Sequence, residues 1–476
     1  MLKKWGLFIG PVLFFITILL PGTIISEQAD GVLAVALWMI VWWITEAVHI
    51  AVTALLPLLL FPILNVAPME SVSQNYGHPI IFLFFGGFIL ALGLQKVNLH
   101  RRIALNIVKL TGTSPERVIL GFMIATAFMS MWISNTASTV VMLPIALSVI
   151  QLLVDDEDGF TKKDKNFALN MMLGIAIAAN AGGIATIIGT PPNSVLIALL
   201  ESEYEIEIGF FQWMQFGLPF SILFIFLAYL VMVKWVFPCK DIQFSRSAAL
   251  IHDEINKMGA MKRDEKQVLV IFIVTMSLWI SRGFIQKLLP DFPINDTLIS
   301  IFGAFAMFAI PTSTKKRTFV LDWKDTEKLS WGILLLFGGG LALASGMKSS
   351  GIVDLVTKSI ADSNWGVYLI VTSLIILMIF MTELMSNVAL VTVLAPVIAG
   401  IAIGLNIPML QLLIPVTMAA SCAFMLPMAT PPNAIVFASG HVKVSQMAKI
   451  GFILNIIAAI LLMLYYFTII PLFFAE

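Results

Sequence analysis

Charged residues are scarce in this chain. Only 12% of its 476 residues are Asp, Glu, Lys or Arg, and 28 basic side chains are balanced by 28 acidic ones. Water-soluble domains carry about 25% charged residues, so the composition excludes an ordinary soluble enzyme. Zero net charge leaves no basic face for nucleic acid. Because 59% of the residues are hydrophobic and the mean hydropathy is +0.97, the chain is predicted to lie in a lipid bilayer.

Cysteine and histidine are also rare. The two cysteines, Cys239 and Cys422, are far apart and form no CxxC pair, which excludes a disulfide framework and a thiolate metal site. The five histidines are scattered and lie in none of the repeated motifs described below: His49, His78, His100, His252 and His441. A nucleophile needs a neighbouring base, so the sequence predicts no enzyme.

Long apolar runs are abundant. Segments of about 20 apolar residues, the length that spans a bilayer, predict eleven transmembrane helices near 5–25, 31–47, 48–66, 78–97, 167–200, 210–236, 267–288, 296–311, 331–347, 408–438 and 449–472. Two further stretches, 116–153 and 366–403, are interrupted by small polar residues and are predicted to be re-entrant hairpins. The first run resembles a signal peptide, but its length and the lack of a cleavage pattern favour a spanning helix.

The basic residues favour one orientation in the membrane. With the N-terminus in the cytoplasm, 24 of the 28 Lys and Arg residues fall in inner loops, where such residues are normally enriched. Only Arg282, Lys287, Lys348 and Lys358 fall outside. The chain is therefore predicted to be a multi-pass protein of the cell inner membrane, with a cytoplasmic N-terminus and an external C-terminus.

The sequence contains an internal repeat. Three motifs occur twice in the same order: a Gly-rich segment at 85–92 and 337–344, Ser-Asn-(Thr/Val) at 134–136 and 386–388, and Thr-Pro-Pro-Asn at 190–193 and 430–433. The first two pairs are 252 residues apart and the third 240, because the second copy lacks a charged loop at 155–166. Five crossings per copy, an odd number, predict opposite orientations in the membrane, as in many secondary transporters.

These signals divide the chain into four parts. We predict an N-terminal helix at 1–30, a first inverted repeat at 31–236, a cytoplasmic connector at 237–266 and a second repeat at 267–476. The first repeat has its hairpin at 116–153 and a broken helix at 167–203, and the second has them at 366–403 and 408–438.

The repeated polar motifs predict a binding site for anions and cations. Ser, Asn and Thr cap helix starts, whose free N–H groups and partial positive charge bind anions without Lys or Arg. The first arm of each hairpin presents hard oxygen donors suited to a cation: its last carbonyls with Ser130, Asn135, Thr382 and Asn387. A single Ser-Asn pair usually serves only as a hydrogen-bonding contact between helices, but its duplication together with Pro-Pro favours a site.

The Pro-Pro pairs are predicted to break their helices, since proline has no N–H and clashes with the preceding turn. The freed carbonyls of Gly189 and Ala429 then complete cation sites, while Thr190 and Thr430 face substrate. Two facing helix starts suit a molecule with two carboxylates. Because no basic residue lies in these motifs to neutralise such a dianion, bound cations are expected to accompany it.

The chain resembles the divalent anion/sodium symporter family along essentially its whole length. The resemblance is carried by Trp43-Ile44-Thr45-Glu46-Ala47, Thr53-Ala54-Leu55-Leu56-Pro57, the segment 86–92 with Asn98-Leu99-His100-Arg101-Arg102, and both copies of the Ser-Asn and Thr-Pro-Pro-Asn motifs. It implies an all-α homodimer of the elevator type in the lipid bilayer, with interfacial arm helices near 101–113 and 351–363. It also implies sodium-coupled symport of C4-dicarboxylates such as succinate, malate and fumarate.

The resemblance further implies site residues and at least two Na⁺ sites. One Na⁺ site would use Ser130, Ser134, Asn135 and Gly189, and the other Thr382, Met385, Asn387 and Ala429. Substrate would contact Ser134, Asn135, Thr136, Thr190, Pro191, Ser386, Asn387, Val388, Thr430 and Pro431.

Several points stay open at this stage. Val388 replaces the Thr that bacterial dicarboxylate carriers of the family often have, so a sodium/citrate symporter is an alternative, as is a sodium-independent dicarboxylate exchanger. Glu46, Glu383 and Arg282 lie in or near apolar segments, where charges are functional or structurally paired. His49 is interpreted as a helix-end or packing residue, with a proton carrier as the alternative.

Overall fold

A computed structural model describes residues 2–19, 26–112, 114–154, 161–239, 247–313, 318–362 and 366–474 of the chain. Some predictions fall partly outside these residues: the N-terminal span at 5–25, the charged loop at 155–166, the connector at 237–266 and the last residue of each predicted arm helix.

Helices dominate the described residues. The first half contains α1 (Leu2–Leu19), α2 (Glu27–Thr45), α3 (Ile50–Thr53), α4 (Leu56–Ile63), α5 (Met69–Gln74), α6 (Pro79–Lys96), α7 (Leu99–Thr111), α8 (Pro115–Ser130), α9 (Asn135–Val154), α10 (Lys162–Gly183), α11 (Pro191–Tyr204) and α12 (Phe210–Tyr229). A 3₁₀ turn at Asn75–Gly77 links α5 to α6, and a π-helical segment at Leu230–Val236 extends α12.

The second half has a matching series. It contains α13 (Ser247–Met258), α14 (Arg263–Leu288), α15 (Asp296–Ala309), α16 (Trp331–Ser349), α17 (Ile352–Ala361), α18 (Val367–Met381), α19 (Asn387–Gly404), α20 (Met409–Ala420), α21 (Pro431–Ala438), α22 (Val444–Leu464) and α23 (Ile470–Phe474). A 3₁₀ helix at Trp323–Lys328 precedes α16, and a π-helical segment at Tyr465–Ile469 follows α22.

The chain is mostly helical, as predicted, but it is not purely so. Two short strands, β1 (Pro311–Ser313) and β2 (Thr318–Phe319), pair antiparallel after α15. The hydroxyl of Thr312 donates a hydrogen bond of 2.9 Å to the carbonyl of Thr318 across this pair. The all-α prediction missed the pair because strands this short leave no alternating hydrophobic pattern.

Seven helical segments among the described residues are long and apolar enough to cross a membrane: Glu27–Thr45, Met69–Lys96, Phe210–Val236, Arg263–Leu288, Trp331–Ser349, Asn387–Gly404 and Val444–Leu472. The predicted crossing at 48–66 is not one long helix. It consists of α3 and α4, with Ala54 and Leu55 between them. Pro57 and Pro62 lie in the second piece. From Ile50 to Ile63 the chain rises only about 21 Å at 1.5 Å per residue. The count of eleven crossings stays a prediction.

Helix breaks occur in both polar-interrupted stretches and in both Thr-Pro-Pro-Asn stretches. Residues 131–134 separate α8 from α9, and residues 382–386 separate α18 from α19; we name these pairs hairpin 1 and hairpin 2. Residues 184–190 separate α10 from α11, and residues 421–430 separate α20 from α21; we name these segments linker 1 and linker 2. Both α11 and α21 begin at Pro-Pro, because proline suits the first helical turn, where its missing N–H is not needed.

Linker 1 is buried, and the helices that flank the breaks pack on one another across the two halves. Every residue from 167 to 190 is buried. The second arm of hairpin 1, α9, packs against α10 and also against α21 of the other half. The second arm of hairpin 2, α19, packs against α20 and against α11. Each hairpin therefore contacts a broken helix from both halves.

Arg282, one of the charges left open, has structural partners. Arg282 forms ion pairs with Asp296 at 3.1 Å and Glu207 at 3.6 Å. Glu46 ends α2 with a left-handed backbone, φ 46°. His49 precedes α3, and its Nδ1 accepts from the Ala51 N–H at 3.3 Å, which agrees with the helix-end interpretation.

Candidate functional site

The tip of hairpin 1 is open to solvent beside a buried core. Ser134 is exposed, and Asn135 and Thr136 are half-buried. The Ser134 hydroxyl accepts a hydrogen bond of 3.2 Å from the N–H of Ala137, so it caps the start of α9 as Ser residues do. Because the remaining N–H groups of this first turn have no helical partner, the start of α9 is a positive helix end within reach of a solute.

Below this tip four polar groups converge, and we name them the first oxygen cluster. The fully buried Ser130 hydroxyl donates to the Ala179 carbonyl at 2.7 Å. One terminal atom of the Asn135 amide lies 2.6 Å from Ser130 Oγ, 3.1 Å from the Ala179 carbonyl and 3.3 Å from the Gly189 carbonyl. An amide nitrogen at this position donates to those oxygens, whereas an amide oxygen there joins them as a cation ligand.

In the first oxygen cluster the backbone at residue 183 lies so close to Asn135 and Gly189 that only glycine fits there. A Cβ atom on Gly183 would lie 2.6 Å from Asn135 Oδ1 and 3.1 Å from the Gly189 carbonyl. Of the four ligands that the resemblance implied, the structure brings Ser130, Asn135 and Gly189 together. It places Ser134 at the helix cap instead. The Ala179 carbonyl was not anticipated, since a backbone oxygen has no sequence signal.

Hairpin 2 has a related but looser arrangement. The fully buried Thr382 hydroxyl donates to the Ala420 carbonyl at 2.5 Å, and we name this pair the second oxygen cluster. Met385 is buried in the turn, and Ala429 is half-buried near the end of linker 2. In the described part of the chain, no hydrogen bond joins Asn387 to Thr382.

The substrate-facing residues predicted at hairpin 2 are less accessible than those at hairpin 1. Ser386 and Asn387 are half-buried, and Val388 is 7% exposed. Ser386 makes no side-chain cap to α19. The tip thus offers a helix start and an apolar side chain where hairpin 1 offers a hydroxyl.

The Thr-Pro-Pro-Asn motifs place their threonines inward. Thr190 is 1% exposed, and no residue that the structure describes forms a hydrogen bond with its hydroxyl. Thr430 is 7% exposed, and its hydroxyl accepts from the Asn433 N–H at 3.5 Å. Pro191 is half-buried and Pro431 is exposed, so the first proline of each motif is more accessible than its threonine.

The asparagine of each motif stabilises the linker before it. The Asn193 amide donates to the carbonyls of Gly183 at 3.3 Å and Thr186 at 2.9 Å. These carbonyls lack helical donors because the helix is broken, so the amide replaces the missing N–H groups. Linker 2 repeats the arrangement with equivalent residues: Asn433 donates to Ala423 at 3.2 Å and Leu426 at 3.0 Å.

One side chain of the first broken helix forms hydrogen bonds to the second. Asn180, near the end of α10 and 1% exposed, donates through its amide to the Thr430 hydroxyl at 3.0 Å and the Ala423 carbonyl at 3.1 Å. This residue was not among the predicted site residues. The available signal was an amide in the apolar part of a helix, since polar groups inside membrane helices are commonly functional. Its equivalent in the second half, Ala420, has no such side chain.

The site residues carry no formal charge. The predicted set contains no Lys, Arg, His, Asp or Glu, and its polar atoms are hydroxyls, amides and carbonyls. Positive potential at this site comes from the starts of α9, α11, α19 and α21. Oxygen donors for a cation come from the ends of α10 and α20 and from the hairpin turns.

Comparison with known proteins agrees with these features. The family described as "Sodium:sulfate symporter transmembrane region" matches residues 2–473. The "Sodium-dependent dicarboxylate transporter SdcS" of Staphylococcus saprophyticus is 40% identical over 473 residues, covering 98% of this chain and 91% of that protein. The protein of the same name from Staphylococcus aureus strain USA300 is 39% identical over 475 residues, with the same coverage.

Two solved transporter structures share the fold. The YdaH transporter of Alcanivorax borkumensis has a TM-score of 0.56 and 13% identity, covering 84% of this chain and 88% of that chain. MtrF of Neisseria gonorrhoeae has a TM-score of 0.51 and 14% identity, covering 84% and 83%. The family match over nearly all residues confirms the resemblance carried by the motifs: the chain belongs to the sodium:sulfate symporter family, also known as the divalent anion/sodium symporters, and is a membrane transporter and not an enzyme.

Proposed function

We propose that the chain is a sodium-coupled symporter of C4-dicarboxylates such as succinate, malate and fumarate. The first oxygen cluster is the observation that carries this proposal. It combines a neutral set of hard oxygen donors with a solvent-facing helix start only a few residues away. The sodium-dependent dicarboxylate transporters of the two staphylococci, similar over 98% of this chain, support the same ion and substrate class.

Two sodium sites are part of the proposal. The first uses Ser130, Ser134, Asn135 and Gly189, with the Ala179 carbonyl as a further donor. The second uses Thr382, Met385, Asn387 and Ala429, with the Ala420 carbonyl beside Thr382. Sodium prefers oxygen ligands, and broken membrane helices supply them from free carbonyls.

The substrate site is proposed at the helix starts that follow the sodium sites. The ten contact residues are Ser134, Asn135, Thr136, Thr190, Pro191, Ser386, Asn387, Val388, Thr430 and Pro431. Each carboxylate is proposed to bind one hairpin tip, where helix N–H groups point outward. Because Asn135 belongs to the first oxygen cluster and to the start of α9, sodium binding would fix the position of the N–H groups that bind the carboxylate.

Transport is proposed to follow an elevator mechanism in a homodimer. The moving unit would contain both hairpins and both broken helices from the inverted repeats at 31–236 and 267–476. These elements pack on one another across the two halves, which supports their movement as one body. We place the protein in the cell inner membrane, with a cytoplasmic N-terminus and an external C-terminus.

Uptake by proteoliposomes tests the coupling. With an inward sodium gradient, [¹⁴C]succinate should accumulate, and replacing sodium with choline should abolish accumulation. Uptake that continues in choline when the vesicles contain internal succinate would instead identify a sodium-independent exchanger. Competition by unlabelled citrate and sulfate in the same assay identifies the preferred anion, and strong inhibition by citrate alone would favour a sodium/citrate symporter.

Val388→Thr is expected to change the preference between di- and tricarboxylates without abolishing transport. The new hydroxyl would restore a polar contact at hairpin 2, and such a contact contributes about 1 kcal/mol, or roughly fivefold in relative affinity. Competition of succinate uptake by citrate measures the change. Ala389→Ser, one residue farther along α19 and also buried, is the control. An unchanged ratio of citrate to succinate inhibition would remove Val388 from the substrate site.

A further inference from the structure

The turn of hairpin 2 contains a buried carboxylate, next in the sequence to Thr382 of the second oxygen cluster. Glu383 follows Thr382 in the turn of hairpin 2 and is 3% exposed. No Lys, Arg or His among the described residues forms an ion pair with it. A buried charge without a counter-ion is costly unless hydrogen bonds compensate it. This carboxylate therefore needs hydrogen-bond donors around it.

The donors come mainly from linker 2. Oε1 of Glu383 accepts from the backbone N–H groups of Phe424 at 2.8 Å and Met425 at 2.9 Å, and Oε2 accepts from that of Leu426 at 3.1 Å. The fourth donor is the amide of Asn455 on α22, at 2.9 Å. One side chain of hairpin 2 thus binds three consecutive N–H groups of linker 2.

These three N–H groups would otherwise have continued α20. In an α-helix they would donate to the carbonyls four residues earlier, which belong to Ala420, Ser421 and Cys422. Because these N–H groups donate to Glu383 instead, they are not available to the helix, and α20 ends at Ala420. The Ala420 carbonyl accepts instead from the Thr382 hydroxyl. The carboxylate therefore opens one helical turn and leaves carbonyl oxygens available at the second oxygen cluster.

Linker 1 has no carboxylate and unwinds later. The residues equivalent to Phe424 and Met425, at an offset of 240, are Ile184 and Ala185. Their N–H groups donate back to the carbonyls of Ala181 at 3.2 Å and Gly182 at 3.1 Å. As a result α10 continues to Gly183, three residues beyond the position equivalent to Ala420.

Both halves nevertheless join hairpin and linker at equivalent positions. Met131 is the equivalent of Glu383 at an offset of 252, and Thr186 is the equivalent of Leu426 at an offset of 240. In the first half the Thr186 hydroxyl of the linker donates to the Met131 carbonyl of the hairpin at 2.6 Å. In the second half the direction is reversed, since the Glu383 side chain of the hairpin accepts from the linker. Only the second connection carries a negative charge.

We propose that Glu383 is a positioning residue that opens the end of α20 and, through its charge, makes the second sodium site the one with higher affinity. The proposal rests on the sodium-coupled function proposed above. A negative charge next to neutral oxygen donors attracts a cation most strongly in a medium of low dielectric. The first oxygen cluster lacks such a charge, so the two sites differ in strength although their hairpins are related by the repeat.

Sodium dependence of uptake by Glu383→Gln tests the proposal. The full-length variant is reconstituted in proteoliposomes, and succinate uptake is measured over a sodium series. The sodium concentration for half-maximal uptake should rise about tenfold, since a charged acceptor is lost. The KM for succinate at saturating sodium should change less than twofold. Glu70→Gln, which neutralises an exposed carboxylate on α5, is the matched control and should leave both values unchanged.

A purely structural role would lower the yield of folded protein and the maximal rate but leave the half-maximal sodium concentration unchanged, and that result would overturn the proposal. If the Gln variant does not fold, Glu383→Asp serves instead, because it keeps the charge but is too short to hold all three N–H groups. It should raise the half-maximal sodium concentration about threefold, and an unchanged value counts against the proposal. Absence of sodium-dependent uptake by the wild-type protein would instead refute the proposed function.

Discussion

Replacing Asn135 with Ala is expected to raise the sodium concentration for half-maximal uptake by one to two orders of magnitude and to weaken substrate binding with it. The substitution removes a side chain that contacts both carbonyls of the first oxygen cluster, Ala179 and Gly189. A lost hydrogen bond or ligand to a charged group costs about 1.5–3 kcal/mol, which corresponds to roughly 10- to 150-fold. Sodium titrations of uptake and succinate titrations at fixed sodium measure the two effects.

Two comparisons define what this result means. Asn106→Ala removes an exposed amide on α7 that donates to the Arg102 carbonyl of its own helix, and should leave both titrations unchanged. Asn387→Ala, at the equivalent tip of hairpin 2, should also weaken sodium and substrate together. Sodium-dependent substrate affinity equal to wild type in both Asn135→Ala and Asn387→Ala would refute the assignment of the hairpin tips.

Asn180→Leu is expected to abolish most transport and to destabilise the protein. Leu has nearly the same size but removes the amide that donates to both the Ala423 carbonyl and the Thr430 hydroxyl. These two groups then keep their bonds to Asn433. A buried polar group that loses its partner costs about 1–3 kcal/mol. Since these two groups lie at either end of linker 2, the substitution should separate the broken helices and lower the uptake rate by at least about tenfold.

A second asparagine on the same helix separates loss of function from loss of stability. Asn170, also on α10 and fully buried, donates to the Phe237 carbonyl at 2.7 Å, far from either linker. Asn170→Leu should lower the thermal unfolding temperature in a similar way while half-maximal sodium and the KM for succinate stay at wild-type values. If Asn180→Leu changed only the unfolding temperature, the bridge between the broken helices would have no part in transport.

Local chemistry made the helix breaks predictable. Pro191-Pro192 and Pro431-Pro432 cannot continue a helix, and the structure begins α11 and α21 at the first proline of each pair. The Ser-Asn turns were predictable for a similar reason, because their side chains compete with the helical backbone for hydrogen bonds. The break inside 48–66 was missed, because the turn lies within an uninterrupted apolar run. The Ala54 carbonyl of this turn accepts a hydrogen bond from the hydroxyl of Tyr76, 22 residues away.

The bilayer environment, the recurrence of the motifs and the positions of the hairpin and linker breaks were predictable from the sequence. Each of these depends on composition or on backbone chemistry within a few residues. Which groups meet at those breaks depends on long-range packing. The bond from Asn180 to Thr430 joins residues 250 apart, and the bonds from linker 2 to Glu383 join residues 41 to 43 apart. Such contacts depend on how helices pack across the two halves, and no local pattern records that packing.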